Sequence, residues 1–146
     1  MTDLQIIEEL QSKFGEFEYK LNNNKEVTHL IIDFKGVETK DLKLIVKLTS
    51  LQELDLGFNK ITTIDWWLHD LVNLEKLKLS YNKITTTQGL EKLTNLQDLR
   101  LNNNKITTIQ GLDNLTKLEC ITLHNNKIPK KEIKEFRDKH PKIIVL

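Results

Sequence analysis

Most of the chain is one pattern repeated at a near-constant interval, and this repeat limits the possible folds more than any other feature. Four copies, aligned on an asparagine, read LQELDLGFNKITTI, LEKLKLSYNKITTT, LQDLRLNNNKITTI and LECITLHNNKI. Intervals of 23, 22 and 22 residues separate these asparagines, which are Asn59, Asn82, Asn104 and Asn126. An earlier copy, VTHLIIDFKGV, starts at Val27 and has Lys35 in place of the asparagine. A period of this length predicts a solenoid, in which each turn buries its apolar side chains against neighbouring turns.

The spacing within one copy predicts a short strand followed by a bend. In L-x-x-L-x-L the last two leucines alternate with polar residues, as on a strand with one buried face. The segment I-T-T-I-x-G-L-x-x-L then returns the chain, so successive strands are parallel and their connections are right-handed. The asparagine lies where the chain leaves the strand. Its amide is expected to bond backbone groups that the bend leaves unpaired, which predicts a ladder of asparagines along the stacked turns.

The motif L-x-x-L-x-L-x-x-N, with Ile121 replacing one leucine, resembles the repeat of the leucine-rich repeat family. The resemblance covers about residues 27–128, or about five repeats. The 22-residue unit is most similar to the repeats of SDS22-like proteins and of bacterial internalins. It implies an α/β fold, a right-handed leucine-rich repeat solenoid with a parallel β-sheet on its concave face. Since the family consists overwhelmingly of binding scaffolds, the resemblance also implies protein binding.

Residues 1–26 predict an N-terminal cap made of a helix and a strand. Thr2 and Gln5 have the spacing of a capping box ahead of a helix over residues 3–14, and Gly15 fits the helix end. The apolar face of this helix is expected at Leu4, Ile7, Leu10 and Phe14. Such a cap covers the apolar core and the strand edge that the first turn of a solenoid exposes.

The pentamer LNNNK occurs twice, and its two copies have different meanings. The copy at 101–105 contains the ladder residue Asn104, whereas the copy at 21–25 ends half a turn before Lys35. We interpret Asn22–Lys25 as a hairpin turn, since asparagine tolerates left-handed dihedrals. The strand before it, with Phe17, Tyr19 and Leu21 alternating, would pair antiparallel with the first repeat strand.

Residues 129–146 predict a short helical C-terminal cap. The helix follows Pro129, turns Ile133 and Phe136 inward, and ends before Pro141. A last strand is expected from the 22-residue spacing, which aligns Ile143 with Ile121 and Val145 with Leu123. The stretch EFRDKHPKI resembles the cap that closes SDS22-like arrays, although it is shorter.

Composition narrows the classes of partner and the compartment. The 146 residues fit one domain, and their net charge of +1 gives no basic excess for nucleic-acid binding. The single cysteine, Cys120, excludes an internal disulfide and fits a reducing compartment. Neither a signal peptide nor an apolar run of membrane-spanning length is visible. We expect a cytoplasmic protein that is a monomer on its own, with no membrane and no nucleic acid among its partners.

Function in a repeat protein is expected at positions that the scaffold leaves variable. Strand register places one set of side chains on the concave face, where acidic, basic and mixed patches would follow one another. The charged members, which we take as candidate partner contacts, are Asp33, Glu53, Asp55, Lys76, Lys78 and Arg100. The alternative is a solvated surface of mixed charge with no partner.

Two aromatic groups are further candidates for partner contacts. Phe34, Phe58 and Tyr81 each take the position before the ladder residue, so they are expected to line up along one rim of the concave face. Such a row is either packing around the turn or a set of interface anchors. Trp66 and Trp67 lie on the convex side, where we expect one to pack inward and the other to lie on the surface; an exposed contact site is the alternative.

No residue pattern indicates catalysis, a cofactor or a metal. Cys120 and His124 share a face but stand four residues apart on a strand, roughly 13 Å, too far for a nucleophile and its base. The four histidines lack ligand spacing. We therefore expect a non-catalytic protein-interaction scaffold, by analogy a phosphatase-type regulator or adaptor. The alternatives are a structural subunit of a cytoskeletal or ribonucleoprotein assembly and a bacterial internalin-like effector or adhesin.

Overall fold

The computed structural model describes residues 1–64 and 67–146, and in this part of the chain it contains one seven-stranded sheet. The strands follow the order of the sequence: β1 (Glu18–Leu21), β2 (Val27–Ile31), β3 (Glu53–Asp55), β4 (Lys76–Lys78), β5 (Asp98–Arg100), β6 (Cys120–Thr122) and β7 (Ile144–Val145). The helices are α1 (Asp3–Phe14), α2 (Leu42–Ile45) and α3 (Lys130–Lys139), with 3-10 turns at Thr39–Asp41, Leu90–Lys92 and Leu112–Asn114.

The repeat strands pair in parallel and in register, as a leucine-rich repeat solenoid requires. One apolar residue at the centre of each strand stacks on its counterpart in the next turn, through the series Leu30, Leu54, Leu77, Leu99 and Ile121. All five are fully buried. Burying a leucine stabilises the fold by roughly 1.5–3 kcal/mol, so the stacked leucines are the main source of stability in the repeats.

The N-terminal helix forms where the capping box predicts it. In α1 the Thr2 hydroxyl accepts from the Gln5 amide at 3.3 Å, and the Thr2 amide donates to the Gln5 side chain at 2.8 Å. Ile6, Ile7 and Leu10 are its buried residues, so the sequence pattern missed Ile6. The side chains of Lys13 and Asp41 form an ion pair that ties the end of α1 to the first turn of the solenoid.

The predicted hairpin is present, but its details differ from the expectation. β1 pairs antiparallel with β2, and the left-handed residue of the turn is Lys25, with φ of 63°, rather than an asparagine. Asn22 instead uses its side chain, whose oxygen accepts from the amides of Asn24 at 2.9 Å and Glu26 at 3.0 Å. Tyr19 and Leu21 stay exposed because β1 is the outer strand of the sheet.

The C-terminal helix and strand are also present, with a register two residues away from the prediction. Val145, not Ile143, pairs with Ile121. The cause is α3, which replaces the extended return segment of the repeats and takes two more residues before the chain reaches the sheet. A shift of two keeps each side chain on its expected face. Phe136 of α3 is buried against the last turn.

Among the helices of the described ranges, none combines the length and the apolar character needed to cross a membrane.

Candidate functional site

Each ladder asparagine fixes the backbone where its strand ends. The side-chain nitrogen of Asn82 donates to the carbonyls of Leu56 at 2.9 Å and Leu79 at 3.1 Å, and its oxygen accepts from the Ile61 amide at 2.9 Å. Asn59, Asn104 and Asn126 bond the neighbouring turn in the same way. These bonds hold the residue before each asparagine in one backbone conformation.

That preceding residue is left-handed in all five turns, although none of the five is glycine. The φ angles are 54–57° at Phe34, Phe58, Tyr81, Asn103 and Asn125. The amides of the first four are bonded to the next turn; for example, the Phe58 amide donates to the Ser80 carbonyl at 3.0 Å. Asparagine adopts this conformation readily, whereas a bulky side chain is a conformational outlier there. This strain is not recognisable from the repeat pattern, because the left-handed bend becomes visible only when the turns are stacked.

The three aromatic side chains form a continuous stack, which we call the aromatic row (Phe34, Phe58 and Tyr81). Ring centroids are 3.9 Å apart between Phe34 and Phe58 and 4.1 Å apart between Phe58 and Tyr81, with interplanar angles of 14° and 10°. The residues are 66%, 42% and 46% exposed, respectively. The row is therefore an apolar strip at the rim of the concave face, only partly buried by its own stacking.

Packing around the turn does not account for the aromatic row. A left-handed residue costs roughly 1–2 kcal/mol when its side chain is bulky. A stacked aromatic pair stabilises the fold by only about 0.5–1.5 kcal/mol in addition to the effect of the area it buries. Much of each ring here stays in water. Turns four and five meet the same backbone requirement with Asn103 and Asn125. The scaffold can therefore dispense with aromatic side chains at this position.

Most of the charged candidates on the concave face form ion pairs with one another or with a neighbouring residue. The Lys78 amino group lies 2.9 Å from Glu53 Oε1 and 3.5 Å from Asp55 Oδ2, so one lysine of β4 pairs with both carboxylates of β3. The hydrogen bond from Lys78 is the largest cause that lowers the pKa of Glu53. For Lys78, burial opposes the charge, but the bond to Glu53 and the nearby Asp55 outweigh it and raise the pKa. This pairing corrects the expectation of an acidic patch beside a basic one.

The other charged candidates lie along the same sheet. Arg100 contacts Asp98 on its own strand at 3.1 Å, and this hydrogen bond is the first cause of the raised pKa of Arg100. Lys76 is exposed and Asp33 is half-buried. Neither makes an ion pair with another residue of the described ranges. These two, rather than Lys78, keep their charge available to a partner.

A groove at the N-terminal end of the concave face was not expected from the sequence. It measures about 400 Å³ and lies between β1 and the first repeat strands, with Tyr19, Ile31, His29 and Glu53 among its lining residues. A second depression shares Phe17, Glu18 and Ile31 with it and reaches Asp33, next to the aromatic row. The sequence feature that could have predicted this groove is the hairpin, because its first strand, β1, extends the concave sheet by one strand beyond the repeats.

Trp67, the described member of the tryptophan pair, is not a convex contact site. Trp67 is 1% exposed, and its indole nitrogen donates to the Thr63 carbonyl at 3.0 Å. The suggestion that Trp67 contacts a partner is therefore wrong, because its ring lies in the core. Trp66 lies outside the described residues.

Histidine, cysteine and carboxylate side chains in the described ranges do not gather into a group that could hold a metal ion. Cys120 is a half-buried free thiol on β6.

Parallel in-register strands, an asparagine ladder and a cap at each end define a solenoid scaffold whose concave face and rim carry the variable residues. The family profile described as Leucine Rich repeats (2 copies) matches residues 49–92, 72–114 and 94–137. These matches extend over more than half of the 146 residues, and the chain belongs to the leucine-rich repeat family. Leucine-rich repeat domains are commonly protein-interaction modules, and the fold is generally non-catalytic.

Solved structures with this fold include two from bacteria. A leucine-rich repeat protein of Leptospira interrogans is 36% identical, with a TM-score of 0.66, over 70% of this chain. Listeria monocytogenes InlP is 28% identical, with a TM-score of 0.64, over 81% of this chain. This chain spans only 27% of the Leptospira chain and 32% of InlP.

A plant structure matches over more of its own length. The leucine-rich repeat ectodomain of the receptor kinase SOBIR1 from Arabidopsis thaliana matches 98% of this chain and 89% of its own, with a TM-score of 0.68. At 20% identity this likeness shows the fold alone. No curated protein matches the sequence.

Proposed function

We propose that this protein is a non-catalytic scaffold that binds a protein partner through its concave face, with the aromatic row as the anchor. The observation that carries the proposal is the choice of side chain at one backbone position. Phe34, Phe58 and Tyr81 are exposed and left-handed where the next two turns use asparagine. Aromatic side chains are among the favoured anchors of protein interfaces, which gives a reason for residues that the fold does not require.

The size of the concave face supports a contribution from the rim. Its strands span roughly 25 Å across and about 15 Å along their length, well under the ~800 Å² that a partner of standard size covers. A partner that binds tightly must therefore also contact the aromatic row, or the groove lined by Tyr19 and Ile31 beside β1. Exposed Lys76 and half-buried Asp33 would add charge complementarity between these apolar parts.

By analogy with SDS22-like proteins, we place the protein among cytoplasmic regulators or adaptors that act as monomers. The phosphatase-regulator role rests on the similarity of the repeat unit and on no individual contact residue.

Phe58→Asn is the substitution that tests the proposal. Asparagine has the left-handed conformation natively at positions 103 and 125, so the variant keeps the backbone and removes the central ring of the aromatic row. We expect partner affinity to fall by at least about 2 kcal/mol, roughly thirtyfold, with the melting temperature unchanged. Tagged wild-type and variant proteins would be used to capture partners from native cell extract, followed by mass spectrometry and titration of the captured partner.

The matched control is Leu21→Asn, which removes an exposed apolar side chain from β1, away from the aromatic row. A partner retained by this control and lost by Phe58→Asn supports the proposal. A partner retained by both variants at equal affinity contradicts it.

An internalin-like effector or adhesin is a second candidate, favoured by the 28% identity to InlP over 81% of this chain. It predicts that the protein is found outside the cell that makes it. Fractionation of the native source into cytoplasm, envelope and medium distinguishes the two candidates, because the regulator must be recovered with the cytoplasm.

A further inference from the structure

A column of four lysines runs along the solenoid beside the aromatic row. In each of turns two to five the residue after the ladder asparagine is a lysine, and the four are Lys60, Lys83, Lys105 and Lys127. All four are exposed. Hydrogen bonds join their backbones from turn to turn. The amides of Lys83, Lys105 and Lys127 each donate at 2.8 Å to the carbonyl of the isoleucine that follows the previous lysine of the set. We call this set the lysine column.

The lysine column is a concentration of one sign of charge on a molecule whose net charge is only +1. None of its four amino groups makes an ion pair with a carboxylate in residues 1–64 or 67–146. Glu38 forms a β-bridge with Lys60, and its carboxylate lies 2.8 Å from Lys40. The hydrogen bond from Lys40 is the first cause of the lowered pKa of Glu38, and Lys60 is the last.

The scaffold has no use for lysine at these positions. The backbone groups of each turn are already bonded to the next turn, and the side chains extend into solvent. Two like charges at the turn spacing of about 5 Å repel by roughly 0.8 kcal/mol even in water, before salt screens them. A row of lysines therefore slightly destabilises the solenoid.

We propose that the lysine column is a binding site for an acidic polypeptide segment in extended conformation, lying across the turns at the side of the solenoid. The four lysines span three turn spacings, about 14 Å. In an extended chain alternate side chains lie on one face about 6.8 Å apart, so three alternating carboxylates match this length. This site is separate from the concave face and goes beyond the proposed function.

Single-stranded nucleic acid fits this surface less well, although it is also a linear anion. Proteins that bind single strands stack bases on open aromatic faces. In the adjacent aromatic row the rings of Phe34, Phe58 and Tyr81 already stack on one another at 3.9 and 4.1 Å, so the faces between them are closed. The lysine column also has no arginine, the residue that binds phosphate oxygens in a bidentate manner.

The test uses a fluorescent peptide of about ten residues in which glutamate alternates with threonine, and the same peptide with glutamine in place of glutamate. Fluorescence anisotropy would be measured with wild-type protein, the double variant Lys83→Gln/Lys105→Gln, and the control Lys43→Gln/Lys47→Gln. The control removes the same charge from exposed lysines of the first return segment. Melting of each variant confirms that it is folded.

We expect the dissociation constants of wild type and the control for the glutamate peptide to agree within about twofold. The double variant Lys83→Gln/Lys105→Gln should bind this peptide at least roughly tenfold more weakly. Binding of wild type should weaken about tenfold between about 0.05 M and 0.2 M NaCl, and the glutamine peptide should not bind.

Three results would overturn the proposal: no binding of the glutamate peptide at low salt, equal weakening by the control variant, or tighter binding of oligothymidylate than of the peptide. The aromatic row is intact in every one of these variants. The Phe58→Asn capture experiment therefore tests the proposed function independently of the peptide-binding result.

Discussion

Turns one to three and turns four and five share a backbone and differ at its most constrained position. The first three turns place Phe34, Phe58 and Tyr81 in a left-handed conformation, whereas the last two place Asn103 and Asn125 there. The asparagine-containing turns show what the scaffold needs, which is a residue that tolerates a positive φ. The aromatic turns place bulky side chains in the same conformation, and these rings are only partly buried. A difference of this kind locates function within a repeat, because the repeats serve as controls for one another.

The largest effect is expected at the ladder, which both regions share. Asn82→Ala should lower the free energy of unfolding by about 1–3 kcal/mol, because it leaves the Ile61 amide without its acceptor and removes one of the two donors to the Leu56 carbonyl, which keeps only Asn59. Asn126→Ala should cost less, because Asn126 is only half-buried and water can replace its side chain. Urea denaturation of both variants provides the measurement. A loss below about 0.5 kcal/mol for Asn82→Ala would refute the structural role of the ladder.

The two ends of the solenoid give the next largest contrast. Asp41 is buried; it pairs with Lys13 and accepts from the Glu38 amide at 2.9 Å. Asp113, which pairs with Lys139 and lies 2.6 Å from His140, is largely exposed. We expect Asp41→Asn to destabilise the protein by about 1–2 kcal/mol and Asp113→Asn by less than about 1 kcal/mol. Equal losses of stability in the two variants would mean that the burial of Asp41 does not make its ion pair stronger than that of Asp113.

The same contrast predicts a pH dependence. Burial tends to raise the pKa of Asp41, but the bonds from Lys13 and the Glu38 amide outweigh it and hold the pKa below the ordinary 3.8. Because the folded pKa is the lower one, the stabilisation is present above pH 3.8 and is lost as the pH falls through the folded pKa. Wild type should therefore lose more stability than Asp41→Asn between neutral pH and about pH 3. Parallel losses in the two proteins would contradict this assignment.

A smaller effect is expected from placing an aromatic ring in turn four. Asn103→Phe should lower the stability by about 1 kcal/mol, since phenylalanine tolerates φ of 57° less well than asparagine does. Stacking on Tyr81 would recover part of this cost. Thermal or urea denaturation of the variant and of wild type measures the difference. If Asn103→Phe were more stable than wild type, aromatic side chains at this position would stabilise the fold, which contradicts the expectation.

The repeat made most of the fold predictable. Period, alternation and the position of asparagine predict the parallel strands. The capping box predicts α1, and the two prolines with the apolar residues between them predict α3, because these are local rules. The register of β7 was predicted wrongly because a helix replaced a return segment of different length. The buried Trp67 and the pairing of Lys78 with Glu53 depend on which neighbouring side chain reaches the same point, and no single repeat contains that information.

The sequence predicts which residues form the candidate site, but it does not predict their backbone conformation. The alignment places Phe34, Phe58 and Tyr81 in one row, but their positive φ angles follow from bonds between turns. The lysine column could have been found from the sequence, since lysine follows every ladder asparagine. The repeat pattern alone does not mark the lysine column as functional, because residues of the scaffold repeat in the same way.

The most direct test replaces the whole aromatic row with the residue that turns four and five use. The triple variant Phe34→Asn/Phe58→Asn/Tyr81→Asn would be compared with wild type by urea denaturation. If the row exists for binding, the free energy of unfolding should stay within about 1 kcal/mol of wild type, because strain relief offsets the lost stacking. A loss of more than about 3 kcal/mol would show that the aromatic row is packing required by the fold, and the proposed anchor would be wrong.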